Sequence, residues 1–129
     1  MSAASPSKFL ATFWGTRGSI STPGSSTEKY GGNTPCVSVQ HRDSRIILDA
    51  GTGIRPLGLE VGPELRAKAP SPQHILLSHT HWDHIQGFPF FSCAYMPQNA
   101  FTIWGEERES TGVEQLLSGQ MTGDYFPIE

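Results

Sequence analysis

Alternating apolar and polar positions begin the patterned part of the chain and predict its first strand. Over residues 9–14, apolar side chains fall at every second position, which is the period of a β-strand. Two short runs that contain Val or Ile, residues 36–41 and 45–48, flank a polar turn at residues 42–44. A strand, a polar turn and a second strand predict a β-hairpin.

A strand-to-helix turn is predicted after the hairpin. The third strand ends in the sequence Asp-Ala-Gly-Thr-Gly at residues 49–53, and a short helix is predicted over residues 54–60, closed by Gly62 and Pro63. Residues 74–78 then form a continuous apolar run, which is typical of a strand buried on both faces. Strands and helices therefore follow one another along the chain.

The other predicted elements indicate a layered α/β fold. A Gly-, Ser- and Pro-rich stretch at residues 15–26 predicts a long surface loop after the first strand. Strands that carry polar residues at their ends and are covered by outer helices form a layered sheet. The other predicted elements are a short helix or turn over residues 82–88, a strand over 101–104, and a helix over 112–121 with Val113, Leu116 and Leu117 on one face.

Length and composition favour one globular domain. The chain has 129 residues, 36% hydrophobic and 16% charged, and no run approaches the roughly 20 apolar residues that span a bilayer. Residues 1–8 are small and polar, without the apolar core of a secretory signal, and predict a disordered leader. We therefore expect no membrane partner and a cytoplasmic protein.

The cysteines and the net charge limit the kinds of site that the chain can form. Cys36 and Cys93 have no CxxC pairing, and both are expected to be buried thiols. The formal net charge is −3 and the basic residues are scattered, so no basic surface for a long nucleic acid is predicted. A small nucleotide remains compatible with this charge.

The most informative segment follows the apolar run at residues 74–78. Residues 79–84 read His-Thr-His-Trp-Asp-His, and imidazole and carboxylate groups are ligands of divalent transition metals. At the end of a strand, His79 and His81 project to the same side and can hold one ion. Once the chain turns into a helix, Asp83 and His84 can serve a second ion about 3.5–4 Å away.

The hexapeptide and several other segments resemble the metallo-β-lactamase fold hydrolases, in particular their phosphodiesterase-like and ribonuclease Z-like branch. The resemblance runs from residue 9 to the end of the chain and rests on five motifs. It implies an αββα sandwich, a mixed sheet with outer helices, of which residues 9–129 form the N-terminal half. The motifs are residues 15–19 (GTRGS), 30–34 (YGGNT), 47–53 (ILDAGTG), the hexapeptide, and the longer stretch 78–91 that contains it.

The resemblance also implies a role for each site residue. His79 and His81 bind the first metal, while Asp83 and His84 bind the second, and Asp83 is the expected catalytic residue. Asp49 is implied to be a buried residue that orients the histidine loop without binding metal; a turn or cap role is its other interpretation. The cofactors are two divalent ions, zinc first, with manganese or iron as alternatives.

One departure from the family pattern concerns the later ligands. The family completes its site with a histidine, a bridging carboxylate and a final histidine from a second half, yet no histidine follows His84. With two protein ligands for each ion instead of three, metal affinity and activity of this chain are expected to be impaired. The half-sheet is also expected to expose an apolar face, which makes a homodimer a candidate assembly.

The implied reaction is hydrolysis of phosphodiesters by a hydroxide that bridges the two ions. The substrate is expected to be a small-molecule or nucleotide-like phosphodiester, with Arg17 and Asn33 as candidate contacts; ordinary loop chemistry is the alternative for both. Two other functions remain open. One is hydrolysis of a thioester, lactone or lactam by the same site, and the other is a metal-binding fragment without catalysis.

Overall fold

The computed structural model describes residues 8–67, 72–107 and 111–127 of the chain. Within them, a mixed sheet has its strands in sequence order from edge to edge. The predicted leader falls almost wholly outside the described residues, which exclude residues 1–7. The strands are β1 (Phe9–Gly15), β2 (Cys36–His41), β3 (Ser44–Leu48), β4 (Gln73–Leu76) and β5 (Phe101–Trp104).

Helices and short 3-10 turns connect these strands. The helix or turn predicted over residues 82–88 and the residues that follow it form one short α-helix followed by two 3-10 turns. A further 3-10 turn lies in the long loop after β1. The α-helices are α1 (Ile54–Ala67), α2 (Trp82–Ile85) and α3 (Val113–Gly119), and the 3-10 helices are Ser25–Thr27, Phe88–Phe90 and Ser92–Tyr95.

Strand direction determines which loops meet. β1 pairs antiparallel with β2, and β2 pairs antiparallel with β3, so β1 and β3 run the same way. β3, β4 and β5 then pair in parallel. The carboxyl ends of β1, β3, β4 and β5 therefore lie at one edge of the sheet, where α/β proteins place their binding sites.

Helix α1 is longer than predicted. It continues past Gly62 and Pro63 to Ala67, although proline removes one helical hydrogen bond and breaks many helices. The carbonyl that loses its donor belongs to Leu59, which is exposed to water. Burial of Val61 and Leu65 on the same helix face extends the apolar contact with the sheet by another turn. This burial outweighs the single missing hydrogen bond, so Pro63 does not end the helix.

The core lies on one face of the sheet. Ile47 of β3 and Ile75 of β4 are fully buried there against Leu57 of α1 and Phe91. A Cβ atom on Gly58 would lie 2.9 Å from Phe91 Cδ2, so glycine lets helix and ring approach closely. The aromatic ring therefore anchors α1 to the segment that follows the hexapeptide.

The prediction that β4 is buried on both faces was wrong. Leu76 is 37% exposed, and it pairs in register with Leu48 of β3 and Trp104 of β5, which are also exposed. The described helices cover only the other face. The predicted fold class, a mixed sheet with outer helices, is confirmed: the described residues form one sheet and one helical layer, two of the four layers of the αββα sandwich.

Two further observations bear on the sequence-based expectations. Cys36 and Cys93 are free, fully buried thiols, as expected. Burial and the nearby charge of Asp49 raise the pKa of Cys36 to about 12, and burial also raises the pKa of Cys93. Among the described residues, no helix is both long enough and apolar enough to cross a membrane.

Both thiols should resist modification in the folded protein. Cys36 and Cys93 are inaccessible and their thiolate forms are disfavoured, and the thiolate is the reactive species. With a disulfide reagent at pH 8, we expect no labelling of the native protein and two labelled thiols per chain in denaturant. Rapid labelling of the native protein at either position would contradict the burial of that thiol in the core.

Candidate active site

The candidate site forms where the loops after β1, β3 and β4 converge. The backbone N–H of Asp49, at the end of β3, donates to the Leu76 carbonyl of β4 at 2.9 Å. The N–H of Ala50 donates to the carbonyl of His84 at 2.8 Å, and the N–H of Gly87 donates to the carbonyl of Ala50 at 2.9 Å. The hexapeptide is therefore fixed through its backbone to the loop after β3.

Asp49 organises this edge through its side chain. Its φ of 63° places it in the left-handed region, which aspartate tolerates better than most residues. Oδ1 accepts hydrogen bonds from the Ser78 N–H at 2.7 Å and the Ser78 hydroxyl at 2.9 Å. Oδ2 lies 2.9 Å from Nδ1 of His84. One carboxylate thus joins the end of β3 to both ends of the segment that carries the predicted ligands.

These contacts orient two of the imidazole rings. An acceptor facing Nδ1 favours the tautomer with the proton on Nδ1, which leaves the Nε2 lone pair free. Asp49 is such an acceptor for His84, and the Ser78 hydroxyl oxygen lies 3.1 Å from Nδ1 of His79. Both rings can therefore present Nε2 to a metal ion.

The structure brings the four predicted ligands together. The ring of His79 lies 4.6 Å from that of His81 and 4.0 Å from that of His84, measured between centroids. Nε2 of His84 is 3.5 Å from Oδ2 of Asp83. Two ligands of one tetrahedral zinc ion lie roughly 3.4 Å apart, since each bond is about 2.0–2.1 Å long. The Asp83 and His84 pair therefore fits a shared ion.

The four side chains do not form a complete metal centre among the described residues. Over residues 8–67, 72–107 and 111–127, no three His, Cys, Asp or Glu side chains are arranged to hold one metal ion together. The donor chemistry of three imidazoles and a carboxylate suits zinc, and the 3.5 Å between the donor atoms of Asp83 and His84 suits one shared ion. The described residues thus offer donors for part of a coordination shell and not for a complete one.

Asp83 is held as a carboxylate. The backbone N–H of Ser19, in the loop after β1, donates to Asp83 Oδ2 at 2.8 Å. This hydrogen bond is the main reason that the pKa of the Asp83 carboxyl lies below its usual value; nearby His84 and His79 lower it further, while partial burial opposes them. Ser19 adopts a φ of 71°, and this left-handed conformation is part of the turn that carries its N–H to the carboxylate.

The two predicted substrate contacts differ in their surroundings. Oδ1 of Asn33 accepts a hydrogen bond from the Thr52 hydroxyl at 3.1 Å, and the Asn33 carbonyl accepts the N–H groups of Thr16 and Arg17. Asn33 therefore has a structural task in joining the loops after β1 and β3. Arg17 lines an open pocket beside the site, and its role as a substrate contact remains a prediction.

Two histidines lie outside the cluster. His74 accepts a hydrogen bond from the Trp104 indole at 3.2 Å on the exposed face of the sheet. His41 stacks on Phe9 with a centroid distance of 4.3 Å. Both side chains interact with neighbouring strands at a distance from the convergent loops.

Sequence reasoning did not identify Ser78 as a functional residue. Its hydroxyl touches both oxygens of Asp49 and lies near Nδ1 of both His79 and His84. The available signal was a hydroxyl residue between the strand and the first histidine. The Ser19 contact had no comparable signal, since 64 positions separate it from Asp83.

Comparison with known proteins identifies the class. Residues 44–123, more than half of the chain, match the β-lactamase superfamily domain family. The chain belongs to this superfamily of metallo-hydrolases, and the resemblance found in the sequence is confirmed.

Individual relatives extend the comparison. The chain is 32% identical to ribonuclease Z of Bradyrhizobium diazoefficiens over 93% of its own length and 37% of the relative. It is 32% identical to the atrochrysone carboxyl ACP thioesterase of Aspergillus terreus over 60% of its own length and 23% of the relative. The chain thus spans less than half of the length of either protein. A Thermotoga maritima crystal structure assigned to the metallo-β-lactamases matches with 24% identity and a TM-score of 0.41, over 72% of this chain and 42% of that one.

The close approach of the two loops predicts that Gly51 cannot carry a side chain. A Cβ atom there would collide with the carbonyl oxygen of Asp83 and would lie 2.5 Å from the Thr34 hydroxyl. We expect Gly51→Ala to lower the free energy of unfolding by about 2 kcal/mol, as overpacking of a rigid site commonly does. Urea unfolding followed by circular dichroism measures this loss.

Gly119→Ala is the matched control for Gly51→Ala. Gly119 lies at the end of α3, and a Cβ atom there would have nothing within 4 Å. The control should change the free energy of unfolding by less than about 1 kcal/mol. Equal effects of the two substitutions would contradict the tight packing at Gly51.

Proposed function

We propose that this protein is a metal-dependent hydrolase of phosphodiesters. In this proposal His79 and His81 hold one divalent ion, Asp83 and His84 hold a second, and zinc is the preferred metal. The observation that carries the proposal is the hydrogen-bonded arrangement of Asp49 with His84, whose Nε2 lies 3.5 Å from the Asp83 carboxylate. A carboxylate behind a histidine in this way is the usual support of a metal ligand.

Each of the chain's own residues has a defined task in this proposal. Asp49 keeps His84 in the tautomer that exposes Nε2, and Ser78 does the same for His79. Ser19 keeps Asp83 ionised, which a carboxylate ligand requires. Divalent ions bound there supply Lewis acidity and lower the pKa of water towards about 7.

The extent of the sequence similarity favours phosphodiester over thioester hydrolysis. The alignment with ribonuclease Z, which by its name acts on RNA, covers 93% of this chain, whereas the alignment with the thioesterase covers 60%. Arg17 and Lys29 also line a pocket next to the candidate site. Positive side chains suit an anionic phosphodiester and are not needed for a neutral acyl group.

Metal content and turnover of the purified 129-residue chain test the proposal together. Elemental analysis after zinc loading and dialysis should give up to two ions per chain, and the loaded protein should hydrolyse bis-p-nitrophenyl phosphate. Turnover should disappear with a chelator and return when zinc is added. Less than 0.2 zinc per chain with no turnover in a folded sample would refute the proposal for this chain.

The ligand assignment predicts that His81→Ala lowers metal content. Removing one of two protein ligands should release the first ion and reduce bound zinc to about half of the original stoichiometry. His41→Ala is the matched control, because His41 stacks on Phe9 away from the cluster. Full zinc content in His81→Ala, or an equal loss in His41→Ala, would show that the assignment is wrong.

The role of Asp49 is tested by Asp49→Asn, which keeps the size of the side chain. An amide is a poorer acceptor for His84 Nδ1, and loss of such a partner commonly weakens metal binding 10- to 100-fold. Competition with a zinc-binding dye measures the affinity, with Asp124→Asn on the exposed C-terminal segment as the control. Unchanged zinc affinity in a folded Asp49→Asn protein would show that Asp49 serves only to form the turn after β3.

Thioester hydrolysis is the second candidate, because the fungal relative with 32% identity is a thioesterase. An acyl thioester assayed beside bis-p-nitrophenyl phosphate separates the two. Higher kcat/KM on the thioester, lost with His81→Ala, would favour this second function.

A further inference from the structure

A polar pocket of about 310 Å³ opens in the loop that follows β1. It is formed by two parts of that loop, one directly after the strand and one at the short 3-10 turn. Two of its side chains are cationic, and none of them is acidic. The lining residues are Thr16, Arg17, Gly18, Ser26, Thr27, Lys29, Tyr30 and Gly31.

The two cations of this Arg17/Lys29 pocket are positioned by other groups. Nε of Arg17 donates to the carbonyl of Ile20 at 3.0 Å, which orients the guanidinium, and among the described residues the two Nη groups have no hydrogen-bond acceptor. Nζ of Lys29 lies 4.9 Å from the centre of the Tyr30 ring, a cation–π contact. Neither cation forms an ion pair with a carboxylate of the described residues. In a chain of net charge −3, two such cations in one pocket favour an anion as its ligand.

The pocket and the candidate active site are linked along the chain. Gly18 lines the pocket, and the next residue, Ser19, donates its N–H to Asp83. Adjacent Cα atoms are about 3.8 Å apart, so the pocket wall and the Asp83 contact belong to the same turn. A substrate held at Asp83 can therefore extend into the pocket.

We propose that the Arg17/Lys29 pocket binds a second phosphate of the substrate, one that does not react. This inference rests on the proposed phosphodiester hydrolysis. It makes the substrate a nucleotide chain with a further phosphate near the bond that is cleaved. A guanidinium fork and an ammonium group match the charge and oxygen geometry of a phosphate, and the hydroxyls of Thr16 and Ser26 supply further donors.

A phosphate that takes no part in the reaction contributes equally to binding of substrate and transition state. Such uniform binding changes KM more than kcat. The pocket should therefore select substrates by affinity, whereas the rate of the chemical step depends on the cluster around Asp83. This separation makes the two sites experimentally distinguishable.

The test compares thymidine dinucleotides that differ by one phosphate. The substrates are the dinucleotide with a 5′-terminal phosphate, with a 3′-terminal phosphate, and with neither. For the zinc-loaded chain, we expect kcat/KM to be about tenfold or more higher for at least one phosphorylated form, through a lower KM. In the double variant Arg17→Gln/Lys29→Gln this preference should fall to about twofold or less.

Arg55→Gln/Arg66→Gln is the matched control, since it removes two positive charges from α1, away from the pocket. It should retain the preference of the unmodified chain. A wild-type protein without preference for either phosphate, or a preference that survives Arg17→Gln/Lys29→Gln, would overturn the inference. So would an equal loss of preference in the control, which would indicate a general charge effect.

Equilibrium binding distinguishes failure of the proposed hydrolysis from failure of the proposed phosphate site. If the chain cleaves none of the dinucleotides, titration calorimetry still measures the affinity of the same three compounds for the chain. Tighter binding of a phosphorylated form that is lost in Arg17→Gln/Lys29→Gln would support the phosphate site while phosphodiester hydrolysis fails. Equal binding of all three compounds would overturn the inference as well.

Discussion

The Asp49 carboxylate is the interaction on which the rest of this site depends. It receives the Ser78 N–H and hydroxyl on one side and faces Nδ1 of His84 on the other. Six positions separate Ser78 from His84, so one side chain closes the hexapeptide into a loop whose rings face inward. A charged acceptor makes such hydrogen bonds about twice as strong as neutral ones, which suits a loop in contact with water. The left-handed backbone conformation of Asp49 is also explained by these contacts, because the chain must turn sharply after β3 to place the carboxylate beside β4.

The direction of the strands explains why distant segments meet at this carboxylate. β1, β3 and β4 end at the same edge, so the loops that follow them are neighbours although they are far apart in sequence. The loop after β3 supplies Asp49, the loop after β4 supplies the rings, and the loop after β1 supplies the Ser19 N–H that keeps Asp83 ionised. The helical layer on one face holds this edge rigid through Phe91, which packs under α1 and follows the hexapeptide closely in the chain.

Strands and ligand motifs could be predicted from the sequence, whereas burial and hydrogen bonds between distant residues could not. The strands and the hexapeptide follow from a period of two and from adjacent ligand types, both of which are visible within a few residues. The length of α1 could not be predicted, because Pro63 is a local stop signal that burial of Val61 and Leu65 overrides. The burial of β4 was misjudged since an apolar run does not reveal how many layers cover it. Ser19 and Ser78 were missed as parts of the site because their importance lies in hydrogen bonds that depend on the completed sheet.

The net charge of the chain does not show where the fold brings two cations together. A net charge of −3 with scattered basic residues argues against a long nucleic acid, yet the loop after β1 places Arg17 and Lys29 in one pocket without an acidic neighbour in its wall. The sequence-based argument concerns an extended basic surface, and it leaves room for a site of one phosphate such as the proposed Arg17/Lys29 pocket. Affinity for a single phosphate needs only two or three well-placed donors, whereas a long nucleic acid needs many cations along a surface. In the proposed function, this charge distribution therefore favours short anionic substrates, which the loop after β1 would select and the side chains at the ends of β3 and β4 would hold for the reaction.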